Sequence, residues 1–68
     1  MGQLVEWVRW PVEWRLYVRK RRYVATVWDN GVWHTWGPDD CGGENSQEPT
    51  VARAKVEAAA SAIAQGFI

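Results

Sequence analysis

Val24-Ala25-Thr26-Val27-Trp28-Asp29-Asn30-Gly31-Val32-Trp33-His34-Thr35-Trp36 is the stretch that decides how this chain folds. Two runs rich in β-branched and aromatic residues flank Asn30-Gly31, a dipeptide whose residues accept the positive φ of a type I′ turn. The segment reads as a hairpin, with Tyr23 to Trp28 and Val32 to Trp36 as its strands. A two-residue Asn30-Gly31 loop sets Asp29 against Val32 and Trp28 against Trp33, a cross-strand indole pair. A three-residue Asp29-Asn30-Gly31 loop with a bulge sets Val27 against Trp33 and carries Trp33 to the other face. Side chains alternate with a period of two, so this single residue of register decides which face holds Trp33. The two-residue loop is the leading expectation.

Upstream, Val12 to Arg19 alternates: Val12, Trp14, Leu16 and Val18 point one way, Glu13, Arg15, Tyr17 and Arg19 the other, the pattern of a half-buried strand. Arg19-Lys20-Arg21-Arg22 reads as a charged turn. A two-residue Lys20-Arg21 loop sets Val18 against Tyr23, Leu16 against Ala25 and Trp14 against Val27. The expected core face is Trp14, Leu16, Val18, Tyr23, Ala25, Val27 and Trp36. The expected outer face carries Tyr17, Trp28, Trp33, Thr26 and Thr35, flanked by Arg15. Residues 1–11 supply either a fourth strand covering an edge or an arm that pairs with another copy, since a three-stranded sheet leaves two edges to manage.

Downstream, residues 37–49 read as a polar loop. Thr50 is placed to cap a helix that runs from Val51 to Gln65, with Ala52, Val56, Ala59, Ala60 and Ile63 as its core stripe. Gly66 fits the residue after the helix, and Phe67 can fold back on the core. The expected fold is α+β: one domain spanning 1–68, an antiparallel meander of three strands over 12–36, or four with 1–11, packed against one C-terminal helix over 50–66. An alanine-faced helix lies close to a sheet and leaves large side chains to fill the layer.

All six tryptophans lie within the first 36 of the 68 residues. Burying one removes roughly 150–250 Å² from water, about 4–6 kcal/mol gross, which is large beside the roughly 3–10 kcal/mol net stability of so small a domain. The net charge of zero is unevenly spread. Arg9, Arg15, Arg19, Lys20, Arg21 and Arg22 outnumber Glu6, Glu13 and Asp29 in residues 1–36. Asp39, Asp40, Glu44, Glu48 and Glu57 outnumber Arg53 and Lys55 in the remainder. A dipole of this kind fits docking to a protein better than a dedicated polyanion binder, which is usually basic overall.

The chemistry-bearing residues are few. His34 and Cys41 are the soft metal ligands, short of the three or four that zinc takes, so no metal or other cofactor is expected. Cys41 sits beside acids that raise a thiol's pKa, and reads as a spectator. Gly42-Gly43 lacks the lysine of a phosphate loop. No carboxylate pair is set for acid–base work, so the chain is not expected to be an enzyme. One cysteine permits no internal disulfide, and Met1-Gly2-Gln3-Leu4 lacks the basic and apolar regions of a secretory signal. A cytoplasmic location without membrane attachment is the expectation.

One constellation carries functional content: Arg15, Tyr17, Arg19, Lys20, Arg21, Arg22, Trp28 and Trp33. Tryptophan, tyrosine and arginine are enriched at protein-binding hot spots, and exposed indoles on a small protein usually mark a covered surface. The same residues can neutralise phosphates and stack bases, so a nucleic-acid-binding accessory protein is the alternative. Self-association through Leu4 to Trp10, or through the outer face, is a further expectation.

Trp14, the Val24 to Trp28 strand, Gly31 to Trp36 and the helix from Thr50 through Ala60 resemble small sheet-plus-helix proteins encoded by phages and prophages. The likeness covers about residues 12–65. It implies a host protein or complex as partner, and the group includes stoichiometric inhibitors of bacterial defence such as anti-CRISPR proteins. A weaker likeness is to three-stranded-sheet DNA-binding domains such as the arm-binding domain of phage integrases, which lay the sheet in the major groove.

Overall fold

The computed structural model describes residues 4–38 and 42–68. Five strands run in chain order, β1 Val5–Trp10, β2 Glu13–Val18, β3 Arg22–Trp28, β4 Val32–Trp36 and β5 Gly42–Gln47, followed by helix α1, Val51–Ala64. They form one antiparallel sheet in the order β1-β2-β3-β4-β5. The fold is therefore α+β, with five strands rather than the three or four expected. Residues 1–11 contribute a full strand, β1, in unbroken register from Val5↔Val18 to Trp10↔Glu13. The expected 37–49 loop holds β5.

The β3–β4 connection takes the three-residue form. The Gly31 N–H donates to the Trp28 carbonyl at 3.0 Å, and Gly31 alone in this loop has a positive φ, 84°. Val27 then pairs with Trp33, Thr26 with His34 and Ala25 with Thr35. The expected Trp28–Trp33 pair is absent, and Trp33 and Thr35 lie in the core, 6% and 0% exposed. Trp36 moves to the outer face. Asn30 favours this geometry, because its side-chain oxygen accepts from the Val32 N–H at 3.1 Å, an Asx-type bond that holds the turn. A Cβ on Gly31 would run into the Glu48 carbonyl.

The β2–β3 turn also shifts. The Arg21 N–H donates to Val18 O at 3.1 Å, so Arg19-Lys20, not Lys20-Arg21, sit at its centre, with φ of 54° and 58°. Trp14↔Val27 and Leu16↔Ala25 hold as expected, but the register breaks beyond Leu16, giving Tyr17↔Tyr23 and Val18↔Arg22. Val24 is the extra residue of this bulge. It turns into the core, fully buried, and Tyr23 is carried to the outer face.

Helix α1 begins and ends as its sequence dictates. The Thr50 hydroxyl accepts from Arg53 N–H at 3.1 Å. At the other end Phe67 N–H bonds to Ala62 O and Gly66 N–H to Ile63 O, with Gly66 at φ 79°, the paired bonds of a Schellman stop. Its rotation is opposite to expectation. Ala54, Ala58, Ser61 and Ala62 are buried, whereas Ala52 and Ala60 are exposed and Val56 and Ile63 stand 59% and 62% exposed. A polar cluster explains the choice. Gln65 Nε2 donates to Thr35 Oγ1 at 2.8 Å, Ser61 donates to the Glu44 carboxylate, and Thr35 Oγ1 accepts from Glu44 N–H at 2.8 Å. Ser61 and Gln65 must face the sheet to make these bonds, and that turns Val56 and Ile63 outward. Gly43 lets this corner close, since a Cβ there would strike Thr35 and the Phe67 ring. The core is Leu16, Val18, Val24, Ala25, Val27, Trp33 and the three helix alanines, with Trp7, Trp14, Val51, Phe67, Ile68 and, alone of the expected helix stripe, Ala59 packed against it.

Candidate functional site

α1 covers one face of the sheet, over β3, β4 and β5. On that side Lys55 lies with its Nζ 3.2 Å from the Trp14 ring centroid and 5.8 Å from that of Trp7. Burial lowers the Lys55 pKa, with repulsion from Arg9 acting the same way. The two indole faces favour the charged ammonium. Arg9 donates to both Asp29 carboxylate oxygens through its two terminal guanidinium nitrogens, at 2.7 and 3.0 Å. That hydrogen bond holds the Asp29 carboxyl below its ordinary value.

Among the described residues, the opposite face carries no helix. Strand pairing arranges it in rows. Val8, Arg15, Thr26, His34 and Asn45 line up across all five strands. Trp10, Glu13 and Trp28 form the row on one side, and Glu6, Tyr17 and Tyr23 the row on the other. Arg15 is the centre. Its guanidinium carbon lies 4.3 Å from the Trp10 ring centroid and 4.7 Å from that of Tyr23, while its Nε donates to Glu13 Oε2 at 2.7 Å. The hydrogen bond to Glu13 holds its pKa above the ordinary arginine value. Tyr17 meets Tyr23 edge-on at 5.8 Å, and Tyr23 meets Trp36 at 6.5 Å. Trp36 Nε1 donates to Thr26 Oγ1 at 2.9 Å, which is why Thr26 is only 2% exposed on an otherwise open face. The His34 ring lies 4.1 Å from that of Trp36, and its Nε2 has no hydrogen-bond partner among the described residues. The face is thus a packed aromatic mosaic with one stacked cation. Its aromatics are half-buried by each other, and Trp10 is the most open at 40%.

Of the sequence-derived candidates, Arg15, Tyr17 and Trp28 lie on this face. Trp33 does not: it is buried beneath the helix, its Nε1 donating to Glu48 Oε2 at 3.2 Å. Arg19, Lys20, Arg21 and Arg22 are exposed at the end of the sheet. Arg22 reaches back to donate to the Phe67 carbonyl at 3.0 Å. A shallow cleft of about 480 Å³ opens there, lined by Tyr17, Arg21, Arg22, Tyr23, Trp36, Gly37 and Pro38. Trp10, Glu13, Tyr23 and Trp36 belong to the site and were missed. Trp10 could have been found by extending the Val12–Arg19 alternation back through a two-residue Pro11-Val12 loop. Trp36 follows from the three-residue Asp29-Asn30-Gly31 loop by alternation from Trp33, whereas Tyr23 could not be found, because it depends on the bulge at Val24.

No family model matches this chain. No curated protein and no solved structure matches it either. Among the described residues no three His, Cys, Asp or Glu groups come together to hold a metal, and no helix is long and apolar enough to cross a membrane. Cys41, Asp39 and Asp40 lie outside the described residues.

Proposed function

We propose that this protein is a non-catalytic binding module that recognises another protein through the helix-free face of its sheet. The observation that carries this reading is Arg15 held between Trp10 and Tyr23 and tied to Glu13, at the centre of a face where five of the nine Phe, Tyr and Trp residues lie outside the core. Rigid aromatics with a pre-oriented arginine lose little side-chain entropy on binding and are the residue types that dominate protein hot spots. Because Glu13 already neutralises Arg15, the centre of the face offers a partner area and shape rather than free charge. The cations at Arg19 to Arg22 sit at the rim, where charge speeds approach to an acidic surface. Inhibition of a bacterial defence complex is the specific role suggested by the resemblance to phage-encoded proteins, and rests on that resemblance alone.

A second reading, binding of single-stranded nucleic acid, draws on the end cleft, where Tyr17, Tyr23 and Trp36 stand beside Arg21 and Arg22. Salt separates the two. Phosphate binding weakens steeply between low and physiological salt, whereas an aromatic protein interface weakens little. The test is pull-down from nuclease-treated bacterial lysate with wild type, a Trp10→Ala/Trp28→Ala variant and a Val56→Lys variant, each checked for folding by circular dichroism. The proposal expects one stoichiometric protein held by wild type and Val56→Lys and lost from the double variant. Retention by the folded double variant overturns it.

A further inference from the structure

Among the described residues β1 is an edge strand that pairs only with β2, and its register fixes the direction of its free backbone groups. The Arg19 N–H donates to Leu4 O at 2.8 Å, and the Leu4–Arg19 pair continues the Val5↔Val18 register. Antiparallel ladders alternate hydrogen-bonded and non-hydrogen-bonded pairs. Leu4, Glu6, Val8 and Trp10 therefore direct their backbone groups at β2, and Val5, Trp7 and Arg9 direct theirs away from the sheet.

The other edge, β5, is blunted: its sequence is Gly-Gly-Glu-Asn-Ser-Gln and its pairing to β4 is broken by a register shift. β1 has none of these protections. It is six residues long, unbulged, without lysine or an internal proline, and reads Val-Glu-Trp-Val-Arg-Trp. Four of the six exposed large apolar residues of the described chain, Leu4 at 57%, Val5, Trp10 and Val12, cluster at this edge. An unbulged edge of this kind, with apolar residues exposed along it, is a template for another strand.

We propose that β1 pairs antiparallel with β1 of a second copy of this chain, centred on Trp7. The choice of a second copy follows from self-complementarity. Centring on Trp7 sets Val5 against Arg9, Trp7 against Trp7 and Leu4 against Trp10, so exposed apolar residues at the two ends of the strand cover each other. Glu6 meets Val8, and no like charges are opposed. All three outward-facing residues then bond through both backbone groups. Centring on Val8 would set Val5 against Pro11, which has no N–H to give. The two-fold axis stands perpendicular to the sheet. Both helices thus fall on one side, and both aromatic faces form one continuous surface on the other.

Analytical ultracentrifugation of the full chain over a dilution series tests this, with Val5→Pro, Leu4→Lys and Val56→Lys as variants. Val5→Pro removes only an N–H that points away from the sheet, a position where proline is tolerated. Wild type and Val56→Lys are expected as two-chain species that dissociate on dilution. Val5→Pro and Leu4→Lys should be native by circular dichroism and at least tenfold weaker in self-association. If Val5→Pro fails to fold, Leu4→Lys decides. Wild type remaining a single chain up to about 1 mM, folded edge variants associating as wild type does, or loss of the dimer in Val56→Lys instead, overturns the proposal.

Discussion

Arg19 and Lys20 adopt left-handed backbone conformations that Asn and Gly fill at lower cost, yet both positions carry long cations. Residues in sparsely populated conformations persist when something other than local stability retains them, and under the proposed binding role that something is charge at the rim of the aromatic face. Replacing the pair, Arg19→Asn with Lys20→Gly, should therefore stabilise the fold by roughly 1–2 kcal/mol while slowing association with the partner. Urea unfolding and stopped-flow binding measure the two effects. The tryptophans also separate at this scale. Trp33 lies in the core, so Trp33→Ala should cost about 3–5 kcal/mol, enough to unfold a domain this small. Trp28→Ala, on the free face, should leave a cooperative fold. Thermal unfolding followed by circular dichroism distinguishes them. The sequence showed that a hairpin turns at Asn30-Gly31, but it did not show on which face Trp33 lies. Asn-Gly serves both loop lengths, and the choice is made by the Asn30 side-chain bond to Val32 together with the close approach of Gly31 to Glu48, the second of which no local pattern encodes.

At the scale of elements, the helix was legible in its ends and illegible in its rotation. Thr50, Gly66 and Phe67 act within one turn of chain, where sequence and structure are directly linked. The face of α1 is chosen by tertiary bonds from Ser61 and Gln65 to β4 and β5, and these override a stripe that is the more hydrophobic of the two. Small residues on the inner stripe let the helix sit close over Val24, Val27 and Trp33. Ala58→Leu should therefore overpack the layer and destabilise by about 1–3 kcal/mol, while Val56→Lys, on the open stripe, should change stability by less than about 0.5 kcal/mol. Denaturant midpoints report both, and the rotation expected from sequence would reverse them. β5 escaped notice because Gly, Glu, Asn, Ser and Gln are poor strand formers. It is held by the β4 ladder and the Thr35 hydroxyl rather than by its own propensity.

At the scale of the molecule, the sheet divides the chain into a face that makes the fold and a face left free to make contacts. The Arg9–Asp29 pair ties β1 to the β3–β4 turn across β2. Because Asp29 titrates below an unfolded carboxylate's value of about 3.9, its contribution is fully present above that pH and is lost as pH falls through the lower, folded value. Wild type should exceed Asp29→Asn in urea midpoint near neutrality, and the gap should close in acid. A constant gap across that range would place the effect outside this ion pair.

The claim that the free sheet face meets a partner is tested most directly by site-specific photocrosslinking in bacterial cells, with a benzophenone amino acid in place of Tyr17 on the free face or of Val56 on the helix. The account predicts one discrete heterologous protein adduct from the Tyr17 position and none from the Val56 position. Adducts from the helix position alone, or from neither, would contradict it.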